Sequence, residues 1–567
     1  MLLLDRLADL HDTIAAIDDG RLFFEKLLDY LEIEPRISVA DLERIPKSGP
    51  VVAVANHPFG FIEGAILGAV LPKVRPDLRI MANSLLGAFP AASDAFILVN
   101  PFGTADAKRQ NGKGLKETLE LLKSGGMLAV FPAGEVAHID LRERAVVDPE
   151  WSPTIARLVR STNATVVPMF FAGANSALFQ LLGFLHPRVR TAMLPHELLN
   201  KQKHSIELRV GQPISFSRLK DIPSDEDMIA ALRRRTYLLR HREPVKHWSL
   251  PLPFFRKRER TIEPVPPKTL EAEIAALPSD RKLAEMNELE VWYGAAHELP
   301  QTLRELGRLR EVTFRSVGEG TGKSLDLDSF DAHYLHLFLW NRESREVVGA
   351  YRLGRTDAIR RSIGPKGLYT RTLFDYDDRL LDKLGDALEV GRSFVRAEYQ
   401  KSYAPLLLLW KGIGEFIVRH PGYGVLFGPV SISNDYKPIS RQLMVAYFDE
   451  CERDPNLASL VKARSPFRRK PSRESERIAA WDIEDLTAAI GDIETDQKGV
   501  PVLIRQYLKL GGKLVAFNVD HRFADALDGL IVVDLRKTDR RTLDRYLGKE
   551  GAGSFLIHHR SKTAQSV

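Results

Sequence analysis

Upstream of residue 243, short apolar runs of strand length alternate with helical stretches. VVAVAN at 51–56, MLAVFPAG at 127–134 and TVVPMFFAG at 165–173 are the clearest runs. Together they give an α/β pattern. Downstream, helical LPQTLRELGRLREVTFR precedes two strand-like runs, YLHLFLWN and VVGAYRLG, separated by RESRE. An extended ALEVGRSFV, a helix YAPLLLLWKGIGEFIVRH and a strand YGVLFGPVSI follow. GVPVLIRQYLKLGGKLVAFN through GLIVVDL forms the closing block, and HHRSKTAQSV reads as a frayed tail.

The most proline-rich stretch, EPVKHWSLPLPFFRKRERTIEPVPPK, separates these halves. It carries a basic cluster (Arg256, Lys257, Arg258, Arg260) and the aromatics Trp248, Phe254 and Phe255. The expected division is therefore 1–242, a linker at 243–268, a second domain at 269–550 and a flexible tail at 551–567. With 567 residues, more than one core is expected. The 44% apolar and 28% charged content is that of a globular chain and excludes a collagenous or wholly disordered one. A net charge of +6 is small for this length, so any basic surface has to come from local clustering. The single cysteine, Cys451, excludes a disulfide scaffold and a cysteine zinc site, and it suits a reducing compartment. No metal site is expected.

Two features bear on membranes. The uncharged stretch from Val166 to Leu185 is long enough to cross a bilayer, but Pro168, Gly173, Asn175, Ser176 and Gln180 divide it into strand, turn and greasy helix. Asp5 and Arg6 fall where a signal peptide needs an apolar run. MIAALRRRTYLLRHR, just before the linker, reads as a helix with a basic face. That face is either solvated or drawn to anionic headgroups. A peripheral protein on the cytoplasmic face of the inner membrane is the expectation. No nucleic-acid motif accompanies the charge.

In VVAVANHPFGFIEG a buried strand ends at Asn56 and His57, Pro58 and Gly60 force a turn, and a helix carrying Glu63 follows. A His beside a carboxylate can deprotonate a hydroxyl while the carboxylate stabilises the imidazolium. No GxSxG elbow is present, so no acyl-enzyme is implied. At FPAGE, turn amides could hold an anionic group.

NHPxGxxE, ILVNPFG, FPAGE and VVPMFF, in this order over about residues 35–220, resemble the glycerophospholipid acyltransferase family, most closely its bacterial branch acting on lyso-lipids. The resemblance implies that His57 is the base and Glu63 its partner. It places Phe131, Pro132, Gly134 and Glu135 in the acceptor site, with Asn100, Lys108 and Arg109 near the acceptor headgroup. Two departures stand out. Five residues separate His57 from Glu63 where the family has four before an Asp. AGEVAH also replaces the usual EGTRS after FP, removing an arginine expected to bind phosphate.

Gly322-Lys323-Ser324 looks like the end of a phosphate loop, but that pattern needs glycine where Val317 stands. The stronger signal spans 304–400: Arg310, Phe314, Asp328, Asp331, Arg352, Glu389 and Arg392. Singly each charged residue reads as an ion-pair former. Together, carboxylates and arginines around a strand layer can hold a zwitterion by both ends. Over roughly 290–440 the arrangement resembles acyl-homoserine lactone synthases of the N-acetyltransferase (GNAT) superfold, and more closely ornithine N-acyltransferases.

The segment 395–404, VRAEYQKSYA, lacks the glycines with which acetyltransferases grip a pyrophosphate. Acyl carrier protein is thus the expected donor, ahead of coenzyme A, with no bound cofactor. Glu389 is the candidate for taking the amine's proton. Asp328 and Asp331 are expected to hold cationic groups of the amino acid, and Arg352 and Arg392 its carboxylate or the site's structure.

The fold class expected is α/β in two domains: a glycerolipid acyltransferase-type domain, then a GNAT-like α+β domain. The whole chain resembles bifunctional ornithine lipid synthases. This implies N-acylation of an amino acid with a 3-hydroxyacyl group, then O-acylation of that hydroxyl. The alternatives are a lysophospholipid acyltransferase with a regulatory second domain, and a non-catalytic membrane-binding scaffold.

Overall fold

The computed structural model describes residues 12–17, 19–83, 94–99, 105–140, 145–185, 193–242, 259–376, 378–469, 478 and 481–565. It divides into two compact units: Met1–Val245 with Ala488–Gln497, and Lys246–Thr487 with Lys498–Val567.

The first unit is built on β1 (Glu34–Arg36), β2 (Val51–Ala55), β3 (Leu78–Asn83), β4 (Phe96–Val99), β5 (Met127–Val130), β8 (Thr165–Phe171) and β9 (Ser205–Val210), in the order β1-β9-β8-β2-β5-β3-β4. A small hairpin, β6 (His138–Asp140) with β7 (Ala145–Val147), stands apart. β8, β2, β5, β3 and β4 are parallel; β9 is antiparallel to β8. β2 and β5 are buried along their whole length, as strands covered on both faces by helices must be.

Ala488–Gln497, far along the chain, also packs in this unit, an excursion that a single division at 243–268 does not contain. Its Asp492 is fully buried. The carboxylate lies 2.7 Å from Arg235 and 3.4 Å from Arg44 and accepts from the Gln212 amide, while its backbone carbonyl accepts from Arg242. This corrects the reading of the arginine-rich helix as a lipid-facing basic face. No residue from Ala231 to Arg242 is exposed, and Arg235 and Arg242 point inward to neutralise Asp492 and Asp41.

The second unit's sheet runs β10 (Lys282–Met286), β11 (Leu289–Ala295), β12 (Leu335–Asn341), β13 (Glu346–Arg355), β15 (Ala387–Val395), β16 (Val425–Ile432), β19 (Ala526–Asp534), β18 (Lys513–Asp520). β14 (Phe374–Tyr376) pairs separately with β17 (Val461–Ala463). All neighbours in the large sheet are antiparallel except β15 and β16. These two pair only from Ala387 to Glu389 against Val425 to Phe427. Beyond that point β15 stays bonded to β13 and β16 to β19, so the sheet opens into a fork. At its root, a Cβ on Gly428 would overlap the Val390 carbonyl, so only glycine admits so close an approach. A bulge shifts register beside Arg392, which adopts a φ of 47°.

The described part of the expected tail, 551–565, is not frayed. Lys549–Gln565 is helical, with Ala552 and Phe555 buried. The linker residues 243–258, including Trp248, Phe254, Phe255 and the basic Arg256, Lys257 and Arg258, lie outside the described residues; Arg260 is exposed and paired with Glu263.

Candidate active sites

In the first unit, β2 delivers Asn56 and His57 to the carboxyl edge of the parallel strands. Asn56 locks this edge by exchanging two hydrogen bonds with the Phe171 backbone at the end of β8. Gly60, at φ 109°, turns the chain into helix Phe61–Val70. The fully buried Glu63 accepts from the amides of Phe59 and Gly60 and stands 3.3 Å from His57 Nδ1. The five-residue spacing is absorbed in this turn, so His57 and Glu63 form the expected pair. Nε2 lies on the far side of the ring from Glu63. Burial disfavours the imidazolium, yet the Glu63 carboxylate outweighs it and holds the His57 pKa above its ordinary value.

Phe131, after β5, stacks on the imidazole with centroids 4.3 Å apart. Pro132 is buried, while Gly134, at φ 67°, and Glu135 are exposed on the following turn. Asp148, which the motif reading missed, accepts from the His57 amide and from Trp151 Nε1. Its only sequence signal is an Asp-Pro step after an apolar pair. Asn175 donates to the Phe59 carbonyl and completes the frame. Asn100 lies outside the described residues. Lys108 and Arg109 fall in helix Ala105–Lys123, with their side chains outside them.

In the second unit, the predicted residues converge. Arg310 meets Asp331 at 2.8 Å. Arg352 meets Asp328 at 2.6 Å and Asp331 at 3.2 Å. Arg392 meets Asp326 at 3.2 Å and Asp328 at 3.6 Å. Burial opposes ionisation of Asp331, but Arg310 and Arg352 outweigh it and hold its pKa well below the usual range.

Asp328 and Asp331 are thus committed to arginines of the chain itself. This corrects their assignment as holders of a substrate's cationic groups. Tyr369 sits between Arg352 and Arg392, with guanidinium carbons 5.0 and 4.8 Å from its ring, and Phe314 packs edge-on against Phe523, which Arg392 also covers.

Glu389 is equally occupied. It accepts from the Tyr334 hydroxyl and from the amides of Tyr369 and Thr370. Burial raises its pKa against the pull of these bonds. Gly354, opposite Glu389 in the register, makes this possible, since a Cβ there would overlap the Tyr334 ring. With both oxygens engaged, Glu389 positions the 369–370 turn. Gly322-Lys323-Ser324 is no phosphate loop either, because Glu311 accepts from the amides of Thr321 and Gly322.

One unit thus carries a His–Glu pair at the carboxyl edge of its parallel strands, and the other a forked sheet over a buried charge network. The protein is an acyltransferase with an α/β acyltransferase unit and a C-terminal GNAT-like unit. Residues 34–243 match the family described as "Acyltransferase", and residues 309–410 match "Acetyltransferase (GNAT) domain". The glycine N(alpha)-acyltransferase of Bacteroides thetaiotaomicron is 31% identical over 303 residues, covering 50% of this chain and 88% of that protein. The chain belongs to the family of that N-acyltransferase.

The lyso-glycine lipid O-acyltransferase of Phocaeicola vulgatus is 28% identical over 202 residues, covering 34% of this chain and 69% of that protein. Among solved structures, the 1-acyl-sn-glycerophosphate acyltransferase from Thermotoga maritima is 15% identical with a TM-score of 0.25, covering 42% of this chain and 89% of that one. A coenzyme A-dependent acyl-homoserine lactone synthase is 13% identical with a TM-score of 0.23, covering 47% and 97%.

Proposed function

We propose that the protein makes an acyloxyacyl amino-acid lipid in two steps. The second unit transfers a 3-hydroxyacyl group to the α-amine of an amino acid. The first unit then esterifies the 3-hydroxyl of that lyso-lipid, with His57 Nε2 taking the hydroxyl proton as oxygen attacks the second thioester and Glu63 stabilising the imidazolium. One observation carries this reading: a single chain is similar both to an N-acyltransferase named for glycine and to an O-acyltransferase named for the lyso-glycine lipid.

Glycine and ornithine both offer the α-amine and carboxylate that this reaction needs. The argument for ornithine from Asp328 and Asp331 is lost, since both are neutralised internally. A competition assay with the two amino acids separates them. Acyl carrier protein is the proposed donor. Support comes from the glycine-free turn 395–404 that precedes helix Ala404–Arg419.

Peripheral attachment to the inner membrane face is proposed as well. Among the described residues no helix is long and apolar enough to cross a membrane, and Leu178 and Leu181 of helix Ala177–Leu185 are exposed.

The test is expression in a host lacking such lipids, followed by lipid mass spectrometry. The wild type should yield the complete lipid, and His57→Ala should accumulate the mono-acyl amino-acid lipid. Complete lipid from His57→Ala would remove His57 from the ester step. Acylation of lysophosphatidic acid alone, with no amide product, would favour the lysophospholipid reading.

A further inference from the structure

Three arginines and three aspartates balance one another around Tyr369, yet more buried carboxylates border the same space. Asp528, near the start of β19, lies opposite Ser431 of β16 and Asn518 of β18. Asp520 ends β18. Glu319, on the loop after helix Pro300–Ser316, accepts from Ser431 Oγ at 3.1 Å, which sets it beside Asp528 on the β16 arm of the fork. Exposures are 6% for Glu319, 8% for Asp520 and 6% for Asp528. The Asp528 carboxylate has neither a hydrogen bond nor an ion pair with any described residue, although it is more than nine-tenths buried. Arg392, across the fork on β15, is the cation that faces Glu319 and Asp528, and it is already held by Asp326 and Asp328.

Buried carboxylates in excess of their cations are costly unless protonated or met by a positive ligand. Among the described residues no three acidic, His or Cys side chains are placed to hold a metal ion. A primary ammonium, with three donors and one charge, is the ligand that suits carboxylates converging beside a fork that opens between β15 and β16.

We propose that Glu319 and Asp528 receive the ammonium group of the amino-acid acceptor, and that Glu319 takes its proton. This rests on the N-acylation proposed above and gives to Glu319 the role that the occupied Glu389 cannot fill. The bound ammonium gives a proton to the Glu319 carboxylate. The freed nitrogen lone pair then attacks the thioester carbonyl, the C–N bond forms and the C–S bond breaks. The nitrogen's second proton passes to the departing thiolate, and Glu319 returns the first to solvent.

Glu319 is suited to this exchange. Burial, with Asp435 adding to it against the pull of Ser431 and Arg392, pushes its pKa up to about 7. Asp528 is raised well above the usual range by burial and by Asp520 and Glu319. The groups facing Glu319 are therefore Asp528, Asp435, Ser431 and Arg392.

The experiment follows amide formation by the full-length protein with 3-hydroxyacyl-acyl carrier protein and glycine or ornithine across the neutral pH range. In the wild type, kcat/KM should rise through about pH 7 as Glu319 loses its proton. Glu319→Gln should remove that limb and lower kcat/KM by about 10²-fold or more, while Glu319→Asp keeps the limb. Asp528→Asn should raise KM for the amino acid more than it lowers kcat. Thermal denaturation shows whether each variant folds, and Asp528→Asn decides the matter if Glu319→Gln does not. Folded variants with the wild-type limb and KM would overturn the assignment while leaving N-acylation intact. An effect with ornithine but not with glycine would move the carboxylates to the side-chain amine and overturn it as well. A wild type that forms no amide with either amino acid would overturn the N-acylation reading itself.

Discussion

At the scale of the residue, the first site rests on one imidazole whose two nitrogens have separate tasks. Nδ1 faces Glu63, and in the proposed ester step Nε2 takes the hydroxyl proton. Because the carboxylate holds the His57 pKa above its ordinary value, ester formation should rise with pH as the imidazolium gives up its proton. Glu63→Gln removes the charge that favours imidazolium and leaves burial, which disfavours it. The acidic limb of the ester-forming rate should therefore move to lower pH, while the maximal rate falls by about 10²-fold or more. A pH–rate profile on supplied lyso-lipid checks both. His57 and Glu63 were legible from spacing because both lie within one strand–turn–helix. Asp148 was not, since ninety-one positions separate it from the amide it holds.

The elements show which apolar patterns carry enough information. Every strand run named from the sequence is a strand, because apolar runs bounded by Gly, Pro or Asn leave little choice. The C-terminal segment misled for the opposite reason. HHRSKTAQSV is polar, but its described residues, 558–565, continue the helix Lys549–Gln565, which is anchored upstream by Ala552 and Phe555. Phe555→Ala should destabilise the second unit by about 3–5 kcal/mol, read as a lower denaturation midpoint. An unchanged midpoint would return this segment to the status of a tail. The fork between β15 and β16 had no sequence signal beyond Gly391 and Gly428. It depends on where pairing stops, and pairing is a relation between segments.

For the whole molecule, Asp492 is the residue whose role no local reading could supply. It belongs by sequence to the second half, yet it neutralises Arg44, Arg235 and Arg242 in the first unit. Asp492→Ala leaves three guanidinium groups without their common carboxylate. That should cost about 3–5 kcal/mol and lower the unfolding temperature of the first unit, with ester formation lost before amide formation on heating. Equal loss of both activities would refute this. By itself the sequence determined the α/β pattern, the strand runs and the His57–Glu63 pair, because hydrophobic periodicity and turn chemistry act over a few residues; the GNAT-like class came from a family resemblance. Tertiary structure decided which charges were already spent. Asp328, Asp331 and the arginine-rich helix looked available for ligands and lipid, but they are committed to partners within the chain. Glu319, Asp520 and Asp528, which no motif marked, are left in excess. Coulomb energy depends on distance through space and on burial, and neither is written in the spacing of residues along a chain.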